Sequence, residues 1–303
     1  MKKLLVLDTF NFLHRAYHAL PKTFTDPEGE PINAVYGVTS MIISVLDQIR
    51  PTYIAAALDS EKPTFRVEEF TQYKAQREPM DEELANQIPK VFEILDAFGI
   101  KKIVAEGFEA DDVIGTIATK FSNKVDVIIV SNDRDLWQLT NHEVMIMYPQ
   151  RNKTFDWIGG GEAKARLGFD PGKITDFKGL RGDPSDNIPG VKGIGEKTAT
   201  KLIQDFGTME NIYKNIEDIN SGSLKEKLLE NYEIALLSKR LAQLILDVPI
   251  EIKLQDLKYS DLNRSAVKEV LQKYNFKSLI KRLGFEISDA TKEKVSDNQL
   301  SLL

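Results

Sequence analysis

The chain has no cysteine and only three histidines, His14, His18 and His142. Disulfides and thiolate metal sites are therefore excluded, and so is an ordinary histidine-rich zinc centre. Any metal here has to be held by oxygen. No stretch reaches the roughly 18 consecutive apolar residues of a membrane span, and Met1 to Leu7 leads into a strand-like pattern instead of a signal peptide. A cytoplasmic chain without a membrane partner is the expectation. Positive charge is not in excess either: 40 Lys and Arg face 46 Asp and Glu, for a formal net charge of −6. Taken alone, that balance argues against nucleic-acid binding.

At 303 residues and 42% hydrophobic content, the sequence suffices for one large domain with a smaller unit attached. Apolar runs at Leu4 to Leu7, Tyr53 to Leu58, Lys102 to Ala105, Val125 to Val130 and Val144 to Met147 read as buried parallel strands. Between them, Gly37 to Ile49, Asp81 to Phe98 and Asp111 to Phe121 repeat apolar residues at helical spacing. The alternation predicts an α/β fold with a doubly wound, mainly parallel sheet. Past Tyr148 the texture changes. Gly159-Gly160-Gly161 reads as a flexible break, residues from Gly161 to Leu283 read as short helices, and Ser288 to Leu303 is a polar tail expected to be disordered. The expected division is 1–160, 161–287 and the tail 288–303.

Three of the predicted strands end in acids: Asp8, Asp59, and Asp133 with Asp135. In an open parallel sheet the ligand crevice lies at those carboxyl ends. Glu109-Ala110-Asp111-Asp112 opens a helix at the same edge, and Asp183 and Asp186 stand three apart in a turn-rich segment. Any one of these acids is as well explained by helix capping or an Asx turn. Converging together, they would repel one another unless cations neutralised them. Carboxylate ligands without cysteine or a histidine pair select Mg²⁺ or Mn²⁺. Setting the nine acids aside turns the net charge of −6 into +3, which withdraws the objection to nucleic acid.

The most specific string runs from Ile188 to Ala199 and contains Gly190, Lys192, Gly193, Gly195, Lys197 and Thr198. It reads as a helix-hairpin-helix at about 188–205, whose glycines aim backbone N–H groups and a helix N-terminus at a phosphate. A plain tight turn is the alternative. Between the second strand and Asp81, Ser60 to Met80 interleaves Lys62, Arg66, Lys74 and Arg77 with Phe65, Phe70 and Tyr73, as suits single-stranded nucleic acid. Lys74 and Arg77 would share one helix face for phosphate contact, and Arg15 is a weaker candidate. With little core to pack on, this segment is expected to be mobile without DNA.

Several motifs occur in order: Arg15 to Ala19, Phe70 to Arg77, Glu109 to Asp112, Asn132 to Asp135, and Gly182 to Ala199. With them the chain resembles the 5′ nuclease (flap endonuclease) family, most closely the N-terminal 5′-3′ exonuclease domain of bacterial DNA polymerase I and its stand-alone relatives. The resemblance covers about residues 3 to 283. It implies a PIN-like nuclease domain with a helical gateway at about 60–90. It also implies a 5′-3′ exonuclease and 5′-flap endonuclease that removes RNA primers in replication and repair. Asp8, Asp59, Glu109, Asp111, Asp112, Asp133, Asp135, Asp183 and Asp186 would then be direct or water-mediated ligands of two metals. Lys74 and Arg77 would steer the scissile phosphate, and the hairpin would hold duplex, often with K⁺. Thr9, Asn132 and Glu78 stand where the family has Gly, Gly and Pro, and none of these departures removes a carboxylate. Two-metal hydrolysis needs no side chain as general base.

A PIN-type ribonuclease, or a DNA-binding relative without chemistry, is the competing reading. The first lacks hairpin and gateway, and the second would have lost acids that are all present here. The final residues Gln299, Leu300, Leu302 and Leu303 look like the pentapeptide by which bacterial replication proteins dock on the sliding clamp. A monomer is expected.

Overall fold

The computed structural model describes residues 2–150, 154–259 and 262–286. Its strands are β1 (Lys3–Asp8), β2 (Tyr53–Ala57), β3 (Lys101–Ile103), β4 (Asp126–Val130), β5 (Val144–Pro149) and β6 (Phe155–Ile158). The helices of the first half are α1 (Thr9–Ala19), α2 (Asn33–Ile49), α3 (Phe65–Glu69), α4 (Glu82–Ala85), α5 (Ile88–Ala97) and α6 (Ala110–Phe121). Those that follow are α7 (Gly160–Leu167), α8 (Ile174–Arg181), α9 (Glu196–Phe206), α10 (Met209–Lys214), α11 (Gly222–Glu230), α12 (Tyr232–Ala242), α13 (Arg264–Lys273) and α14 (Lys277–Arg282).

The strand order is β3-β2-β1-β4-β5-β6. β1 pairs parallel with β4, Leu5 opposite Ile128, and β4 pairs parallel with β5. Leu4 to Leu7 and Val127 to Val130 are buried throughout, as strands covered on both faces must be. The order reverses between β1 and β4, and ligands of such sheets bind beyond the strand ends at that switch point. Asp8 ends β1 there, and Asp133 and Asp135 follow β4. The predicted α/β class and all five predicted strands are therefore present.

Three details differ from the sequence reading. β6 is an additional strand, antiparallel to β5 with Tyr148 opposite Asp156. Only Ile158 of its four residues is buried, so no apolar run announced it. The helix expected from Asp81 to Phe98 is two. Asp81 caps α4 by accepting from the Glu83 amide at 2.9 Å, and α5 starts afresh with Pro89 in its first turn, where a missing N–H costs nothing. The three glycines are a helix start instead of a break: Glu162 accepts from the Gly159 amide at 3.1 Å and α7 begins at Gly160.

The chain forms two compact units that alternate along the sequence. Of the described residues, one unit comprises those within 1–8, 57–79 and 103–252, and the other those within 9–56, 80–102 and 253–286. In the second, a buried amide pair joins three helical segments. Asn33 Nδ2 donates to Tyr17 O at 2.9 Å, and Gln87 Nε2 donates to Asn33 Oδ1 at 3.1 Å while Gln87 Oε1 accepts from Ala34 N at 2.9 Å. A Cβ on Gly37 would lie 2.4 Å from Ala16 Cβ, so α1 and α2 approach closely only because that residue is glycine. Arg15 is half-buried on α1 of this unit. The tail from 288, with Gln299, Leu300, Leu302 and Leu303, lies outside the described residues.

Candidate active site

All nine acids singled out in the sequence fall in the first unit, presented by the ends of β1, β2 and β4, the N-terminus of α6 and the turn between α8 and α9. Asp8 is buried and accepts from Ser131 Oγ at 2.6 Å. Ser131 Oγ also accepts from the Asp133 amide at 3.0 Å, and Asp133 Oδ1 from the Asp135 amide at 2.8 Å. These turns fix three carboxylates just past the switch point. Asp59 Oδ1 accepts from the Ala110 amide at 2.8 Å and so satisfies one of the donors that open α6.

Two groups of acids form. Asp111 gathers charge from Asp133, Asp8 and Glu109: burial first, then the first two neighbours, push its carboxyl well above the ordinary range, while Lys74 pulls the other way. In the second group, carboxylate oxygens of Asp135, Asp183 and Asp186 lie within 4.8 Å of one another. Lys178, itself buried, donates to both Asp135 and Asp183. Burial opposes charge on Asp183, yet Lys178 and the hydroxyl and amide of Ser185 outweigh it and hold this carboxyl at about 2. Asp135 goes the other way, pushed up to about 6 by burial against the pull of Lys178, with Asp133 adding to the rise. This donor set fits divalent cations: hard oxygen ligands in surplus, with Asp111 and Asp135 held back from ionising where no cation is near.

An acid raised in the fold contributes stability below its unfolded pKa, and the contribution is gone once the pH passes the folded value. In EDTA, Asp135→Asn should therefore gain stability relative to the parent as pH rises from about 4 to about 6. Denaturant titrations across that window check the sign. A gap that stays constant, or runs in the opposite direction, would show that Asp135 is not raised.

The segment Ser60 to Met80 departs from its expected form. Residues 71–77 are turns with Lys74 at φ 54°, so Lys74 and Arg77 share no helix face. Both nevertheless reach the acids. Lys74 Nζ donates to Glu109 Oε1 at 2.9 Å, and Arg77 Nη2 to Asp186 Oδ1 at 2.5 Å. Tyr73, expected to face nucleic acid, is buried against Ile188 and Leu241, and its hydroxyl donates to Glu109 at 3.2 Å and Asp186 at 3.3 Å. Its ring has no free face for a base. The segment does have partners to pack on: Lys74 N donates to Asp186 O at 2.9 Å, Asn187 Nδ2 to Gln72 O at 2.7 Å, and Arg66 is 1% exposed.

Between α8 and α9 the chain turns through Gly182 (φ 77°), Gly190 (φ 63°) and Gly193 (φ 79°). The Gly190 amide donates to Ser238 Oγ of α12 at 2.9 Å. Lys192, Gly193, Gly195 and Lys197 are exposed and Thr198 is half-exposed, with Gly195 immediately before α9. Lys178 belongs to no motif in the sequence, yet it joins this site. Its signal was a lysine on the inward face of α8, five residues before Asp183.

Residues 3–168 match the N-terminal resolvase-like domain of the 5′-3′ exonucleases, and residues 169–265 match their C-terminal SAM fold. The chain belongs to the 5′-3′ exonuclease family. Among curated relatives, DNA polymerase I of Caldicellulosiruptor bescii is 43% identical over 286 residues, covering 93% of this chain and 33% of that protein. DNA polymerase I of Bacillus subtilis is 37% identical over 295 residues, covering 97% and 33%. The chain thus spans about a third of the length of these relatives. Among solved structures, the bacteriophage T5 flap endonuclease in a complex with DNA and metal ions superposes with a TM-score of 0.67 at 20% identity, covering 90% of this chain and 100% of that one. The catalytic core of Rad2 with DNA substrate gives 0.59 at 18% identity, covering 90% and 87%. These two likenesses show that the 5′-3′ exonuclease chain shares the flap-nuclease fold. No helix among the described residues is long and apolar enough to cross a membrane.

Proposed function

We propose that this chain hydrolyses phosphodiesters at 5′ ends and 5′ flaps of branched DNA and at RNA–DNA primer junctions, as a cytoplasmic monomer serving replication and repair. The observation that carries this reading is the gathering of Asp8, Asp111 and Asp133 on one side and Asp135, Asp183 and Asp186 on the other, with Lys74 and Arg77 at their edge. Asp8, Asp111 and Asp133, with Glu109, would hold one Mg²⁺ or Mn²⁺, and Asp135, Asp183 and Asp186 the other. When bound, such ions acidify the attacking water and stabilise charge on the phosphoryl group and leaving oxygen.

The chain's own residues supply position and charge. Burial works against the Lys74 ammonium, but Glu109 and Asp186 outweigh it and keep it protonated above the ordinary lysine range. A cation fixed there can meet a phosphate without reorganising. The Arg77 side chain is 54% exposed and can hold a second phosphate while still paired to Asp186. Lys74→Ala should slow single-turnover cleavage more than it weakens binding, and Arg77→Ala should do the reverse. Quench-flow kinetics beside a binding titration separate the two, and equal effects from both variants would contradict this division.

The turn between α8 and α9 would act as a helix-hairpin-helix on downstream duplex, its exposed amides contacting phosphate and K⁺ bound beside it. Affinity should then fall with salt at all base sequences alike. Gln299, Leu300, Leu302 and Leu303 would tether the nuclease to the sliding clamp. Calorimetry with a bacterial clamp should show heat for the full chain and none for one ending at Asn298, and equal heats would remove the tether alone.

A further inference from the structure

After α12 the chain runs without a helix from Gln243 to Lys253, and side chains instead of a strand ladder satisfy much of its backbone. Three residues of α6 at four-residue spacing share this work. Asp112 Oδ1 accepts from Ile245 N at 2.9 Å. Thr116 Oγ1 donates to Ile245 O at 3.3 Å and accepts from Val248 N at 3.1 Å, and Lys120 Nζ donates to Ile250 O at 3.4 Å. Residues four apart lie along one helix face, so α6 offers a polar stripe to an extended strap. Arg66 continues the row upstream, donating from Nε to Leu241 O at 2.9 Å and from Nη2 to Gln243 O at 2.7 Å.

Arg66 and Asp112 are 1% and 0% exposed and meet through two parallel bonds of 2.7 Å. An ionised carboxylate offers about four lone-pair positions. Those of Asp112 are all taken: Arg66 Nη2 and the Ile245 amide on Oδ1, Arg66 Nη1 and the Glu109 amide on Oδ2. No position remains for a cation. Arg66 Nη1 also lies 3.4 Å from Glu109 Oε2, so the pair touches Glu109 at both its amide and its carboxylate.

We propose that Asp112 ligates no metal and forms with Arg66 a positioning pair, which locks the strap leaving α12 onto α6 and sets the direction in which Glu109 points. The pair thereby joins the helix that supports the Gly190 turn to the carboxylates. Removing one partner leaves a buried charge alone, while replacing both by apolar groups leaves none.

The test is Mn²⁺ binding to the full chain, followed by electron paramagnetic resonance, beside single-turnover flap cleavage and thermal unfolding in EDTA. Asp112→Asn should keep the parent's Mn²⁺ stoichiometry, with affinity lowered about tenfold through the displaced Glu109, whereas Asp111→Asn loses an ion. The cleavage rate at saturating flap and Mg²⁺ should fall at least about tenfold in Asp112→Asn with KM little changed. If that variant does not fold, Arg66→Met combined with Asp112→Leu serves, since it should unfold at higher temperature than Arg66→Met alone and bind the parental number of Mn²⁺ ions. Loss of an Mn²⁺ ion in either chain would make Asp112 a ligand and overturn the proposal. An unchanged rate per folded molecule would overturn the positioning role. That role rests on the nuclease reading, but the Mn²⁺ count does not. A parent that binds Mn²⁺ and cleaves nothing would sink the nuclease reading and leave the assignment of Asp112 standing.

Discussion

Asp111→Asn and Asp133→Asn are each expected to lower flap cleavage by at least about a hundredfold while leaving DNA affinity nearly intact. The Asp111 carboxyl stands well above the ordinary range because burial, Asp133 and Asp8 all oppose its ionisation. Asparagine keeps the shape and removes the charge that a divalent cation would neutralise. The DNA contacts assigned to Arg77 and to the exposed amides before α9 are untouched. Single-turnover cleavage beside fluorescence anisotropy on the same flap separates chemistry from binding. Parental cleavage by either variant in Mg²⁺ would remove that acid from the ligand set.

The second large effect belongs to Gly190. A Cβ at this residue would lie 2.2 Å from Gly182 N and 2.5 Å from Arg181 C, both backbone atoms that cannot swing aside, and its φ of 63° already disfavours an L side chain by about 1–2 kcal/mol. Gly190→Ala should therefore unfold at lower temperature and lose at least about tenfold in duplex affinity, because the turn must open. Gly195→Val makes the contrast. Nothing lies within 4 Å of its Cβ position, and its φ of −94° suits any residue, so the fold should be spared while the new side chain covers the amides in front of α9. Melting curves and duplex titrations on both variants check this. Equal loss of stability in the two, or parental duplex affinity in Gly195→Val, would contradict a phosphate contact at this turn.

The strands were legible because parallel strands buried on both faces have to be apolar throughout, as Leu4 to Leu7 and Val127 to Val130 are. An acid at the end of such a run marks the crevice, and Asp8, Asp133 and Asp135 were found that way. β6 was not legible, since an edge strand with one buried residue leaves no pattern. Charge pairing escaped for a different reason. Arg66 reads as a surface residue in a basic and aromatic segment, yet Asp112 lies 46 positions away and the carbonyls of Leu241 and Gln243 lie 175 and 177 positions away. Local spacing cannot announce partners at that separation. Tyr73 was misread likewise: interleaved with Lys74 it suggests stacking on a base, while contact with Ile188 and Leu241 turns the ring inward. Lys178 shows the same limit, because a lysine on a helix is ordinarily solvated and only the fold brings Asp135 and Asp183 to it.

The most direct measurement is single-turnover cleavage of a duplex with a 5′ single-stranded flap by the full chain, in Mg²⁺, in EDTA, and in EDTA followed by excess Mg²⁺. The carboxylate groups around Asp111 and Asp135 predict release of the flap in Mg²⁺, no cleavage in EDTA, and full recovery on adding the ion back. Cleavage that persists in EDTA, or its absence in Mg²⁺ from folded chain that binds the flap, would contradict the account.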